Sequence, residues 1–483
     1  MPELLLALDA GTTGVRALLI DAAGKVLGFD KRPIPSSFPA PGQVEQDGEV
    51  VWRTCCQAIA AAVGGAGRRM GDVAAMGVTT QRSSVVLWDR ATGKPVAPIL
   101  VWSDLRGMQA YRELRAAGFA AWPQVPSAKL PAAVALADDG AARMAAGDLC
   151  WGTLDSYLVY RLSGGGAHVT DRSCGWMTGY LDYANPRAWN ASLLAHQRLP
   201  ASLFPKLVDS WGVIAVTSRE IMAAEVPISA IMADQQAGMV AHDALAKGGW
   251  KVSYGTSAVL MASTGDTPMA PHATMPAEML ATAGGWASYC IEGMVISAGS
   301  FVEWMCQGLG LFGSPAALEA AARSVVDSKG VKVRPSLAGL GTPHGRFAAR
   351  GLISGLSFDA TPAHIARAAF NAVAFRVREI AEAIATVPGL GVQASLPADG
   401  GLASSDLFLQ LQADTLGRAV CRHRVREATA YGAALAAGLG NGQFTSGDLA
   451  AFAHYEQAFE PAISRDQADS EFAAWSAAIR AEA

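Results

Sequence analysis

The stretch LLLALDAGTTGVRALLID, residues 4–21, decides the fold. A hydrophobic run, 4–8, ends in Asp9. Ala10-Gly11-Thr12-Thr13-Gly14 follows, then Val15-Arg16 and a second apolar run, 17–20. Two apolar runs about a Gly/Thr turn predict a β-hairpin. The turn carries groups that suit an anion. Glycine lets the backbone approach closely, and free N–H groups and hydroxyls donate to phosphate oxygens. Asp9, at the end of a buried strand, is placed to hold Mg²⁺ through water, since that ion keeps much of its hydration. A polar hairpin tip is the alternative reading.

The rest of the chain extends this pattern. A strand at 25–32 follows the hairpin, and a helix from 48 to about 63 is expected behind Asp47 as its N-cap. Short strands at 73–79, 85–88 and 99–102 deliver Arg82, Trp102 and Asp104 at their ends, where ligands bind in open α/β sheets. Residues 107–150 are Ala-rich and helical in pattern. A strand at 227–232 runs into Ala233-Asp234-Gln235-Gln236, and Trp250-Lys251-Val252-Ser253-Tyr254 runs into Gly255-Thr256-Ser257. Further on, Ala298-Gly299-Ser300 opens an amphipathic helix. Leu396 to Gly401 ends in a double glycine before a helix at 404–416. Glycine at a strand-to-helix turn leaves room for a phosphate or nucleoside.

Length and composition set the frame. A chain of 483 residues is too long for one core, and two α/β domains are expected, 1–243 and 244–483. The Gly/hydroxyl turns at 11–13 and 255–257 each begin one half, as in a duplication. Hydrophobic content of 51% supplies two large cores, and a net charge of −4 without a basic block argues against nucleic acid. Seven irregularly spaced cysteines fit a reduced protein rather than a disulfide framework. No apolar run is long enough for a membrane span, and no signal peptide is legible; a cytoplasmic protein is expected.

Eight motifs in order resemble the FGGY carbohydrate kinases: LALDAGTTGVRALLID, GQVEQD, GVTTQRSSVVLWD with ILVWSDLR, ADQQAG, SYGTS, RGLISGLSFDATPAHIARAAFNAV, DGGLASSDLFLQLQADTLG and REATAYGAALAAG. The resemblance implies two actin/hexokinase-like (ribonuclease H-like) domains flanking a central cleft. It implies transfer of the ATP γ-phosphoryl group to a hydroxyl of a polyol or small sugar, with a glycerol-like polyol favoured. A pentulose or other ketose is the alternative acceptor, and a catalytically weak sugar- and ATP-binding regulator the alternative function. A small-molecule acceptor, ATP, Mg²⁺ and a homodimer are the partners it suggests.

The resemblance also suggests roles. Asp234 is the general base, although a helix N-cap is its structural alternative. Arg82, Ser83, Trp102 and Gln235 face the acceptor with it; core packing is the alternative for Trp102. Asp9 supports the metal, and Thr12, Thr13 and Arg16 meet the phosphates. Thr256, Gly299 and Glu303 meet them from the second half, while Gly400, Gly401 and Ser405 line the nucleotide pocket. Six departures stand out. Gly14 replaces a Ser donor, and Glu303 stands where members acting on glycerol have Gln. Ser83 stands where those members carry Glu, Ser405 replaces an Asn, and 129–132 and 341–351 lack the usual aromatics. Loss of the carboxylate at 83 predicts weaker glycerol binding.

Overall fold

The computed structural model describes residues 3–270, 274–391 and 393–480. The extreme ends of the two expected domains, 1–2 and 481–483, lie outside these. Two compact units emerge.

The sheet of the first unit runs Trp211–Val216, Pro227–Ala233, Val73–Thr80, Leu4–Ala10, Gly14–Ile20 and Val26–Pro33 in spatial order. Leu4–Ala10 pairs antiparallel with Gly14–Ile20, as the hairpin reading expects, and parallel with Val73–Thr80. Val73–Thr80 in turn pairs parallel with Pro227–Ala233. These parallel strands are buried almost end to end. That is why they read as continuous apolar runs rather than as alternating ones. Their register sets Ala10 beside Thr80 and Thr80 beside Ala233, so the residues that follow each strand emerge on one edge. The helix Gly48–Gly65 covers one face, and the Asp47 carboxylate accepts from Glu49 N at 2.8 Å and Val50 N at 3.1 Å.

The second sheet repeats this plan and adds one strand at its edge. It runs Ala277–Ala283, Trp286–Val295, Ala258–Gly265, Trp250–Tyr254, Ser395–Gly400, Ala419–His423 and Tyr455–Phe459. Again a first strand makes an antiparallel hairpin on one side and a parallel pair on the other. Again an antiparallel strand closes the far edge. The 24-residue helix Pro362–Ala385 carries the core with Ala369, Val373, Val377 and Ile380.

The compact units are interleaved rather than divided at one point near 244. The first comprises 1–241, 278–287 and 429–452, and the second comprises 242–277, 288–428 and 453–483. Small residues explain the return at 429–452. A Cβ at Gly432 would lie 1.8 Å from the Ala237 carbonyl, one at Gly440 would lie 1.9 Å from that of Ser229, and one at Gly77 would lie 2.0 Å from that of Ala433. The helix Ala428–Gly440 sits backbone to backbone against its neighbours, and only glycine permits that. Segment 278–287 is tied in by Ser210 N donating to Thr282 O at 2.8 Å and by Gly284 N donating to Asp209 Oδ2 at 3.0 Å.

Candidate active site

The three parallel strands of the first unit deliver three polar segments side by side: 11–13, 81–83 and Asp234. The first is tightly held. Gly11 N donates to Gly14 O at 3.0 Å. Asp9, 4% exposed, lies across the hairpin from Arg16, whose Nη1 is 3.8 Å from Asp9 Oδ2 and donates to Gly14 O at 3.2 Å. A Cβ at Gly14 would sit 2.6 Å from the Arg32 carbonyl, so this backbone has no room for a hydroxyl-bearing residue there. Thr12 is fixed from two sides: its Oγ1 accepts from Trp102 Nε1 at 2.9 Å and its carbonyl accepts from Gln46 Nε2 at 2.7 Å. Gln81 Nε2 donates onward to Gln46 Oε1 at 3.0 Å. Thr13 is exposed. An acceptor-only carboxylate at the end of the strand that leads into this turn suits Mg²⁺, which takes hard oxygen ligands and completes its shell from water and phosphate.

The second segment is built around a residue that sequence reasoning did not assign. Lys129, 0% exposed, donates from Nζ to Ser83 O at 2.9 Å, Val101 O at 2.9 Å and Trp102 O at 3.3 Å. One ammonium thus clips together the strand ends that carry Ser83 and Trp102. Burial pulls Lys129 down to about 7, opposed by the Asp104 charge. Ser83 adopts a left-handed φ of 61° and its Oγ donates to Met177 O at 3.2 Å. Trp102 is half-buried, and its backbone N donates to Ser84 Oγ at 3.0 Å.

The third segment begins the helix Asp234–Ala241 directly after Pro227–Ala233. Asp234 Oδ1 accepts from Gln235 N at 2.8 Å and lies 3.6 Å from Arg82 Nε. The other side of the guanidinium meets a second carboxylate: Arg82 Nη1 donates to Glu278 Oε2 at 2.7 Å. Gln236 Nε2 reaches the same oxygen at 3.2 Å. Gln235 is half-buried beside them. Behind this cluster Asp171 accepts from Cys174 N at 2.9 Å and Ser210 Oγ at 2.8 Å. Asp155 accepts from Thr153 Oγ1 at 2.5 Å and Thr170 Oγ1 at 2.7 Å, and burial drives its carboxyl up to about 6.

In the second unit the loops converge on Tyr254 to Thr256. Ala298 N and Ser300 N both donate to Thr256 O at 3.1 Å, and Gly299 N donates to Gly255 O at 3.0 Å. A Cβ at Gly299 would approach that same Gly255 oxygen to 2.4 Å. Gly400 has φ 91°, and its Cβ would lie 2.5 Å from Tyr254 O. Gly401 follows, exposed, as does Thr256. Asp399, just before the glycines, binds His242 Nε2 at 2.8 Å. Burial pushes the Asp399 carboxyl up, but His242 and Lys251 outweigh it and hold it below the usual range. Two residues stand apart. Ser405 is 5% exposed and caps the helix Asp406–Leu416, its Oγ accepting from Phe408 N at 3.1 Å. Glu303 lies exposed on the helix Gly299–Gln307.

Gln46, Lys129, Gln236 and Glu278 are the site residues that sequence reasoning missed. A signal existed for Glu278, the sole charge in the strand Ala277–Ala283.

Comparison with known proteins agrees with this architecture. Residues 4–241 match the N-terminal domain of the FGGY family of carbohydrate kinases, and residues 250–440 match its C-terminal domain. The chain is similar to a glycerol kinase of Aromatoleum aromaticum, 38% identical over 98% of each chain. Among solved structures it is similar to Plasmodium falciparum glycerol kinase with ADP, with TM-score 0.87 and 21% identity over 99% of this chain and 97% of that one. It is also similar to a xylulose kinase from Brucella ovis, with TM-score 0.83 and 25% identity over 99% and 100%. The chain belongs to the FGGY family of carbohydrate kinases, with its actin/hexokinase-like α/β fold. It is an ATP-using phosphotransferase that acts on an alcohol group of a polyol or sugar. Among the described residues no helix is long and apolar enough to cross a membrane.

Proposed function

We propose that the acceptor is a glycerol-like polyol and that Asp234 is the general base of its phosphorylation. The juxtaposition of Asp234 and Arg82 at neighbouring strand ends carries this reading. A carboxylate aimed at an alcohol accepts the hydroxyl proton as the new P–O bond forms, while the guanidinium orients an adjacent hydroxyl through its rigid fork. Trp102 packs against the acceptor carbons, and Gln235 adds a hydrogen bond. Ser83 shapes the wall rather than binding the acceptor, because its hydroxyl is committed to Met177 O.

Phosphoryl transfer runs through a loose transition state, so positioning and charge neutralisation supply most of the catalysis. In the first unit Thr12, Thr13 and Arg16 meet the phosphates, and Asp9 holds Mg²⁺ through water; the ion neutralises phosphate charge when bound. In the second unit Thr256 and Gly299 bind phosphate, Gly400 and Gly401 leave room for the nucleoside, and Ser405 fixes the following helix by capping it. Glu303 is exposed on the helix that Gly299 begins. The similarity to glycerol kinases along nearly the whole chain supports the acceptor class.

A coupled assay of ADP release over glycerol, longer polyols and ketoses tests the proposal. Glycerol or a close polyol is expected to give the highest kcat/KM. A preference for a pentulose would overturn the acceptor reading, and ATP and acceptor binding without turnover would favour the regulator.

A further inference from the structure

We propose that the loop at 345–350 and the strand end at Arg334 form an anion site in the second unit. It takes a phosphoryl dianion, free or carried on a small organic phosphate, and uses none of the residues assigned to the nucleotide or the acceptor.

Segment 341–351, set apart in the sequence by its missing aromatics, carries His344, Arg346 and Arg350. With Arg334 and Phe347 these two arginines line a cavity of about 550 Å³, closed otherwise by glycine and alanine alone. Small-molecule sites span roughly 300–1,000 Å³. No carboxylate lines the cavity. Arg334 ends the strand Lys332–Arg334 and is 5% exposed. Arginine is almost never buried so deeply without a partner of opposite charge. Here Nε donates to Arg350 O at 2.8 Å and Nη1 to Ile479 O at 2.7 Å, both neutral carbonyls. Arg346 and Arg350 are exposed, and none of the three arginines forms an ion pair among the described residues. Glu379, which reaches this loop through His344, is already committed: it pairs with Arg376 and accepts from His344 Nε2 at 3.1 Å.

The loop is held in shape by its own backbone. Leu340 and Arg346 exchange bonds at 2.9 and 2.8 Å, Ala349 N donates to Arg346 O at 3.1 Å, and Gly345 turns with φ 63°. The bond from Arg334 Nε to Arg350 O fixes one cation by another. Three guanidiniums on one wall repel one another, and an anion between them turns that repulsion into attraction. Their planar forks match pairs of phosphate oxygens. Coulomb energy scales with charge, so a dianion gains about twice what chloride gains at the same distance. Salt screens exposed charges beyond about 8 Å at physiological ionic strength and screens buried ones much less, which makes Arg334 the anchor. Phe347, 59% exposed, offers apolar surface to the remainder of an organic phosphate.

The test is calorimetry on the full-length protein with saturating ADP at about 0.15 M NaCl, titrating inorganic phosphate and phenyl phosphate. The double variant Arg346→Gln/Arg350→Gln, altered only at exposed positions, is expected to weaken binding of both probes at least about tenfold. Its turnover should stay within about twofold of the wild type. Tighter binding of phenyl phosphate than of inorganic phosphate, with the gain lost in Phe347→Ala, identifies an organic phosphate as the ligand. Equal binding of the two identifies free phosphate. Three results overturn the proposal: unchanged binding in the double variant, equal displacement of phosphate by chloride, and loss of binding in Arg82→Gln instead, which would put the anion among the proposed acceptor residues.

Discussion

The proposed acceptor cluster of the first unit and the Gly-rich loops of the second are made in different ways. The first is an arrangement of charged side chains: Arg82, Asp234 and Glu278, stood up on strand ends and braced by Lys129 and Gln236. The second is an arrangement of backbone. Gly299 and Gly400 are present because a Cβ would strike the carbonyls of Gly255 and Tyr254. On the proposed function, side-chain chemistry selects an acceptor, whereas a close-packed backbone makes a surface that many phosphates would fit. The difference teaches that substitutions in the two regions should fail in different kinetic parameters.

The largest separation is expected from Arg82→Gln. Losing a charged hydrogen bond costs about 1.5 to 3 kcal/mol, or about tenfold to over a hundredfold in kcat/KM for the acceptor. The KM for ATP should stay within about twofold; an equal rise in both would break the comparison. Gly400→Ala should do the reverse. Left-handed strain of about 1–2 kcal/mol, with the contact to Tyr254 O, should raise the KM for ATP about tenfold and spare acceptor affinity. Calorimetric titration of each ligand separately reads both effects. Lys129→Met removes one donor from each of three carbonyls, of which Val101 O keeps Asp104 N. It should cost about 1–3 kcal/mol, seen in chemical denaturation, with a smaller rise in acceptor KM.

A further effect is one of pH. Asp155, buried and raised to about 6, has an unfolded value near 4. Between these values the unfolded state loses its proton first, so the stability contributed by the protonated form is present below about pH 4 and is lost as pH rises to about 6. Asp155→Asn, which cannot ionise, should therefore gain on the wild type across that window, by about 2–3 kcal/mol in folding free energy. A difference that stays flat from pH 4 to 6 would mean that Asp155 is ionised throughout.

Much of the plan was legible in the sequence. The hairpin, the Gly/Thr turns and the double glycine announce themselves because local backbone requirements restrict residue type at fixed offsets. The parallel between 9–13 and 254–257 foreshadowed the matching strand orders of the two sheets. What depended on distant partners was not legible. Glu278 reads as an oddity in an apolar strand until that strand is placed near Arg82. Lys129 reads as one more helical residue until its ammonium is found on three carbonyls. The interleaving of 278–287 and 429–452 with the first unit comes from close packing at Gly432 and Gly440, which sequence order conceals. Ser405 shows the converse case. A motif position suggested a ligand contact, while local geometry gave the hydroxyl to a helix cap.

The most direct measurement of the central claim is turnover of glycerol by Asp234→Asn beside calorimetric titrations of ATP and glycerol. The geometry predicts a fall in kcat of about a hundredfold to ten-thousandfold, as expected for loss of a general base, with both ligands still bound. Wild-type turnover in that variant would contradict it.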